Sequence, residues 1–160
     1  MKHVERHIIA EGTSMWQEID ELCFLSKNLY NYANYLIRQS FIFDKIYLNY
    51  NKVYHKVKDG SDYQALPRKV SQQVLRGLEK NWKSFFEASK SYQESPEKFT
   101  GRPSLPKYKH KSNGRNLLVY TIQAISKPNL RKGIVKLSQG NIAITTKCLS
   151  ARRRATVNWR

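Results

Sequence analysis

Trp16-Gln-Glu-Ile19-Asp-Glu-Leu-Cys23-Phe-Leu-Ser26-Lys-Asn-Leu-Tyr30-Asn-Tyr-Ala33-Asn-Tyr-Leu-Ile37 is the stretch that decides the fold. Trp16, Ile19, Cys23, Ser26, Tyr30, Ala33 and Ile37 recur at spacings of three and four, and Leu22, Leu25, Leu29, Tyr32 and Leu36 form a second stripe beside them. Apolar side chains so spaced cover one broad face of a helix, which predicts a long, deeply packed helix over roughly residues 15–42. Glu11-Gly-Thr13 precedes it, and Ser14 with Gln17 reads as a capping box in which each side chain satisfies a free backbone N–H. The helical spacing places most of the tyrosines in the core.

Working outward, residues 2–10 read as a weak strand. The stretch 44–66 predicts a short helix and a loop, with a turn at Asp59-Gly-Ser-Asp62. Leu66-Pro67 opens a second long helix, with proline at the first helical position. Val70, Val74, Leu78, Trp82, Phe85 and Ala88 form its buried stripe to about residue 92. Two such helices pack as a small bundle. The opposite face carries Arg68, Gln72, Arg76 and Lys80 at four-residue spacing, with Lys69, Gln73 and Lys83 beside them. That spacing stacks donors along one edge, as a nucleic-acid contact or as a solvated polar face.

Charge divides the chain. From Lys98 to Arg160 there are fifteen Lys and Arg and no Asp or Glu; the first 97 residues hold fourteen bases and all twelve acids. Such segregation is self-repulsive unless a polyanion neutralises it, which points to nucleic acid. A metal-dependent nuclease needs several carboxylates to hold its ions, and the basic half has none. Ser95-Pro-Glu97 ends the helical part. Gly101-Arg-Pro-Ser-Leu-Pro-Lys-Tyr-Lys-His-Lys111 follows, a segment whose prolines forbid helix. In it Tyr108 is suited to a base or sugar while Lys107, Lys109 and Lys111 suit phosphates. Residues 117–126, 133–138 and 142–147 read as short strands, separated by turns at Pro128-Asn129 and Gln139-Gly-Asn141.

Taken together, Leu25-Ser-Lys-Asn-Leu-Tyr-Asn-Tyr-Ala-Asn34, Leu66-Pro-Arg-Lys-Val-Ser-Gln-Gln73 with Trp82-Lys-Ser-Phe-Phe86, and Gly101-Arg-Pro103 with Leu105-Pro-Lys-Tyr-Lys109 resemble the amino-terminal half of TnpB, or OrfB. This is the family of transposon-encoded RNA-guided DNA endonucleases related to type V CRISPR effectors. The resemblance covers residues 1 to about 147. It implies an α+β chain in which 1–12 and 97–147 form a split, wedge-like β-barrel and 13–96 an inserted helical recognition lobe, followed by a divergent basic tail at 148–160.

The resemblance also implies partners and roles. The partners would be a transposon-derived guide RNA and a target or transposon-end DNA. Tyr50, Arg68, Gln72, Thr121 and Gln123 would read a short DNA motif; glutamine suits adenine and arginine suits guanine in the major groove. Lys69, Arg76, Lys80, Arg102, Lys107, Tyr108, Lys109, Lys111 and Arg115 would contact nucleic-acid backbone. No cofactor is implied for these residues, since magnesium belongs to the family's nuclease domain. Neither that domain nor its zinc ribbon has a counterpart here. Cys148 to Arg160 departs from the family's continuation and reads as a truncated or frame-shifted end, leaving the barrel short of its last strands and its nuclease to a separate chain.

Other readings start from different residues. A compact nuclease would need the amino-terminal acids Glu18 and Glu21 with His55, yet acids in the first turn of a helix are favoured by its dipole alone. His3 and His7 lack a third metal ligand. A stand-alone structural RNA-binding protein, or a truncated regulator of the transposon, fits the composition equally. Cys23 and Cys148 form no C-x-x-C pair and read as reduced thiols. The charged start and the short uncharged runs predict a cytoplasmic protein with no membrane segment.

Overall fold

The computed structural model describes residues 5–146 and the strand Thr156–Trp159. The chain begins with α1 (Ser14–Phe43), α2 (Tyr50–Val57), α3 (Ser61–Gln64) and α4 (Arg68–Glu94). A basic segment then leads to β1 (Leu118–Thr121), α5 (Lys127–Arg131), β2 (Ile134–Lys136), β3 (Ala143–Thr145) and β4 (Thr156–Trp159).

The two long apolar stripes meet as their spacing requires. Ile19, Cys23, Tyr30, Ala33 and Ile37 of α1 are buried with Val70, Val74, Leu78 and Trp82 of α4. Trp82 is the centre: Phe41 packs on it at 5.4 Å, Phe86 at 5.8 Å, and Tyr47 and Phe85 at 5.9 Å between ring centroids. Leu48, Val53 and Val57 close the cluster from the α2 side. The tethering of α2 is polar, because the Tyr50 N–H at its first turn donates to Glu79 Oε1 of α4 at 3.0 Å. A carboxylate there also meets the positive end of the helix dipole. Of the second α1 stripe Leu29 is fully buried and Tyr32 exposed; Tyr35 is exposed as well, so of the tyrosines at 30, 32 and 35 only Tyr30 is core, against the sequence reading.

Several boundaries differ from the sequence reading. Thr13, not Ser14, caps α1: its side chain accepts from the Trp16 N–H at 3.2 Å, so the Ser14–Gln17 box does not form. Pro67 is the cap of α4 rather than its first helical residue, with ψ 129 and its carbonyl accepting from Val70 and Ser71. Residues 5–10, the described part of the weak strand at 2–10, join no ladder; Ile8 points to solvent and only Ile9 reaches the core. The segment still touches the later strands, through a hydrogen bond from Thr146 Oγ1 to Glu5 Oε2. Pro128-Asn129 lies not in a turn but in α5, where proline in the first turn loses no hydrogen bond.

The strands make two antiparallel pairs, β1 with β4 and β2 with β3, and no ladder joins them into a closed barrel among the described residues. Leu118 and Tyr120 of β1 turn inward beneath α4. The far edge of β1 is covered by Thr156–Trp159, four residues of the segment that sequence alone marks as a tail; the rest of that segment, with residues 1–4, lies outside the described residues. The β2–β3 hairpin turns at Gln139-Gly140, and Glu18 of α1 accepts from the Asn141 N–H at 3.0 Å, which fastens the hairpin to the helices. No helix among the described residues is long and apolar enough to cross a membrane.

Burial pushes the Cys23 thiol up to about 11, with the Asp20 carboxylate adding to the shift. The unfolded chain releases this proton near the ordinary 9.0, so the stabilisation is complete below pH 9 and is lost as pH rises toward 11. Urea unfolding followed from pH 8 to 10.5 should show that slope, on the order of 2–3 kcal/mol across the full window, and Cys23→Ala should reduce it, the remainder near pH 10 coming from buried tyrosines such as Tyr120, whose phenols burial also pushes up. An unchanged slope in the variant would show that the thiol is not the group responsible.

Candidate nucleic-acid interface

A row of polar side chains on α1 holds the basic segment by its backbone. Asn34 Nδ2 donates to the Pro106 carbonyl at 2.9 Å, and Arg38 Nη1 donates to the same oxygen at 3.3 Å. One turn earlier Asn31 makes two bonds to Lys109, donating to its carbonyl at 2.9 Å and accepting its N–H at 2.8 Å. Lys27 Nζ donates to the Lys111 carbonyl at 2.6 Å, and Ser26 Oγ to that of Leu117 at 3.3 Å. The Asn116 N–H donates to the Cys23 carbonyl at 3.1 Å. Residues 106–117 therefore run antiparallel to α1 as a strap, one partner per helical turn.

This arrangement follows from satisfying buried polar groups. Asn34 lies within the core stripe, fully buried, and accepts from the Trp82 indole N–H at 3.0 Å while donating to the strap. Lys27 is only 2 % exposed. Its ammonium sits 3.6 Å from the Phe24 ring centroid, and burial, helped by the Arg115 guanidinium, holds its pKa below the ordinary lysine value. Arg115 forms a forked pair with Asp20, Nε to Oδ1 at 2.6 Å and Nη2 to Oδ2 at 2.7 Å, which holds the Asp20 carboxyl below its usual range. Gly114 closes the turn that delivers Arg115: a Cβ there would stand 2.4 Å from the His110 carbonyl oxygen.

With its backbone spent on α1, the strap leaves its cations outward. Lys107, Tyr108, Lys109 and Lys111 are exposed, as is Arg102 before them. The Arg38 guanidinium lies 4.9 Å from the Tyr108 ring centroid, and Lys109 Nζ 5.5 Å from that of Tyr30. Among the described residues, Arg115 is the only cation of residues 98–146 in an ion pair. Of the backbone-contact set it is thus the one whose charge is already engaged.

The α4 ladder is arranged otherwise. Lys69, Lys80, Arg68 and Arg76 are all exposed, and the two arginines also rest on tyrosines of α2. Arg76 stands 4.9 Å from the Tyr50 ring centroid, Arg68 Nη2 donates to Tyr54 Oη at 3.2 Å, and the Tyr50 and Tyr54 rings stack at 6.1 Å. Tyr50, Arg68 and Gln72 are thus brought to the α2–α4 edge. Thr121, half-buried at the end of β1, and Gln123, exposed in the following turn, belong to elements that pack on α4. The strap and α4 share a groove of about 390 Å³ that includes Asn81, Ser84, Lys107 and Lys109.

Glu18, a carboxylate a nuclease reading would need, serves the β2–β3 turn instead. No group of three or more His, Cys, Asp or Glu side chains that could hold a metal ion occurs among the described residues, and His3 lies outside them. The α1 seam escaped the sequence reading. Its signal was present in Ser26 and Asn34, polar residues on apolar-spaced helix positions that need partners once buried.

Asn34→Ala should lower stability by about 1–3 kcal/mol by orphaning the buried Trp82 N–H, with Arg38 still donating to the Pro106 carbonyl, and should make residues 101–115 the first site of proteolytic cleavage. Lys109→Ala, measured beside it by urea unfolding, should leave stability unchanged. Equal losses from both would mean that the strap is held by its side chains and not its backbone. No family model, curated protein or solved structure matches the chain.

Proposed function

We propose that this chain is the nucleic-acid-gripping, amino-terminal part of a TnpB-type RNA-guided DNA endonuclease, working in the bacterial cytoplasm or nucleoid and not cleaving by itself. The observation that carries the reading is the strap. Its carbonyls and N–H groups are bound by α1, while Lys107, Lys109 and Lys111 face outward with no carboxylate in their half of the sequence. Outward cations on a fixed backbone suit a phosphate chain, since the ordering cost is met during folding and not at binding.

The division of labour follows from the two surfaces. Strap cations grip phosphates of a guide RNA or guide–target duplex without regard to sequence. The α2–α4 edge, with Tyr50, Arg68 and Gln72, supplies side chains able to read base edges, with Thr121 and Gln123 as further readers from elements that pack on α4. A nuclease domain, with its magnesium, would be contributed by another part of the assembly.

Binding to a duplex carrying the flanking motif should weaken about 10³–10⁵-fold between 50 and 200 mM salt if 6–10 phosphates are neutralised; a flat response in a filter-binding assay contradicts the reading. Gln72→Ala should relax preference for one short motif by about 1–3 kcal/mol, whereas Lys109→Ala should weaken all sequences alike. Sequencing the RNA that copurifies separates the family reading from its rival: one transposon-adjacent species supports it, and bulk ribosomal RNA supports a structural RNA-binding protein.

A further inference from the structure

The apolar stripe of α4 outruns what covers it. Val70, Val74, Leu78 and Trp82 are closed over, but Phe85, Ala88 and Tyr92, which continue the same stripe, are only half-buried. Between them and residues 102–109 lie two hollows. One, of about 680 Å³, is bounded by Phe41, Tyr92 and Arg102, and the other, of about 390 Å³, by Tyr30, Asn81 and Lys109. Phe85, Pro103 and Ser104 belong to both, so the two form one trough. It follows α4 from Asn81 to Gln93, about 18 Å at the helical rise. The trough has two unlike sides. On α4 the small side chains of Ser84, Ala88 and Ser89 keep it open. On the strap side stand Arg102, Lys107 and Lys109, none of them in an ion pair among the described residues. No Asp or Glu lines either hollow among the described residues, and helical periodicity puts Glu87 and Glu94 on the opposite side of α4, beside Lys83 and Lys90.

We propose that this trough holds an unpaired stretch of nucleic acid, its phosphates on the strap cations and its bases against the Phe85 and Tyr92 rings. An aromatic floor with a cationic rim suits a chain that is anionic along one edge and flat and apolar along the other. A duplex presents phosphates and sugars outward and keeps its bases stacked on one another, so it would meet the rim and leave the floor in water. An acidic peptide would meet the rim as well, but its carboxylates bring nothing for the floor. The strap is built for this division. Lys107 and Lys109 line the trough while Tyr108 between them packs on Arg38, the alternation of an extended chain. Asn34, Asn31 and Arg38 hold the backbone of that stretch, so the rim is in place before a strand arrives.

The inference rests on the proposed nucleic-acid function and adds that the strand in the trough is single. Irradiating the full chain with an oligo(dU) strand that carries 5-iodouracil, and mapping the crosslinked peptides, should place the adduct on Phe85 or Tyr92. Tyr92→Leu, which keeps an apolar contact to Phe99 but removes the ring, should weaken oligo(dU) at least about fivefold by fluorescence anisotropy. The same variant should bind an oligo(dA)·oligo(dT) duplex of equal length as the parent does. Crosslinks confined to other aromatic residues such as Tyr50 and Tyr54, or a Tyr92→Leu variant that binds oligo(dU) unchanged, would each overturn the proposal. So would displacement of the strand by oligoglutamate of equal charge as effective as that by unlabelled oligo(dU), since the floor would then contribute nothing. Salt-dependent duplex binding in the same preparation distinguishes the failures: if it persists while the trough takes no crosslink, only the single-strand site falls, and if neither strand nor duplex binds, the nucleic-acid reading falls with it.

Discussion

The hydrogen-bonded seam between α1 and the strap is the constraint on which the rest of the molecule depends. A fifteen-cation half with no acid of its own has little reason to fold back on the rest of the chain. What brings it back is not charge pairing, since Asp20–Arg115 is the single salt bridge made from residues 98–146 to the helices among the described residues. It is burial of Leu118, Tyr120, Ala124, Ile125, Leu137 and Ile142 in the shared core, with peptide groups meeting amide, hydroxyl and ammonium side chains at positions 26, 27, 31 and 34. Backbone groups carry no net charge, so they approach a helix without adding to the repulsion.

The same seam joins core to surface. Asn34 links the Trp82 indole to the Pro106 carbonyl, so the aromatic cluster and the strap share a buried amide. Disturbing either leaves a desolvated polar group in the other, which makes the geometry of the outer cations a consequence of core packing. Lys27 plays a comparable part at the other end, its charge lying between the Phe24 ring and the Lys111 carbonyl. Lys27 is thus a structural donor, and so is Arg115, which the sequence reading assigns to nucleic-acid backbone.

Legibility in the sequence tracks locality. The stripes of α1 and α4 could be read because helical periodicity places Ile19, Cys23, Tyr30 and Ile37, or Val70, Val74, Leu78 and Trp82, on one side whatever they pack against. Helix starts were off by one residue because Thr13 and Ser14 are both competent caps, and only the backbone path chooses. The residues 5–10 and 128–129 were misjudged because strand and turn propensities there are weak beside tertiary contacts. The seat of the β2–β3 hairpin had no local signal at all: its turn meets the helices through the hydrogen bond that Glu18 accepts from the Asn141 N–H.

By itself the sequence determined the two amphipathic helices, the proline-enforced break from helix after residue 101, and the concentration of positive charge beyond residue 97. Each of these is fixed by neighbours a few residues away, or by composition. Tertiary structure alone decided which cations face outward, which tyrosines are buried, and which polar groups meet along the seam. Those outcomes depend on pairing groups some 70 to 120 residues apart in sequence, as with Asn34 and Pro106 or Glu18 and Asn141. No local propensity encodes such a pairing; it is selected by the cost of leaving a buried polar group without a partner.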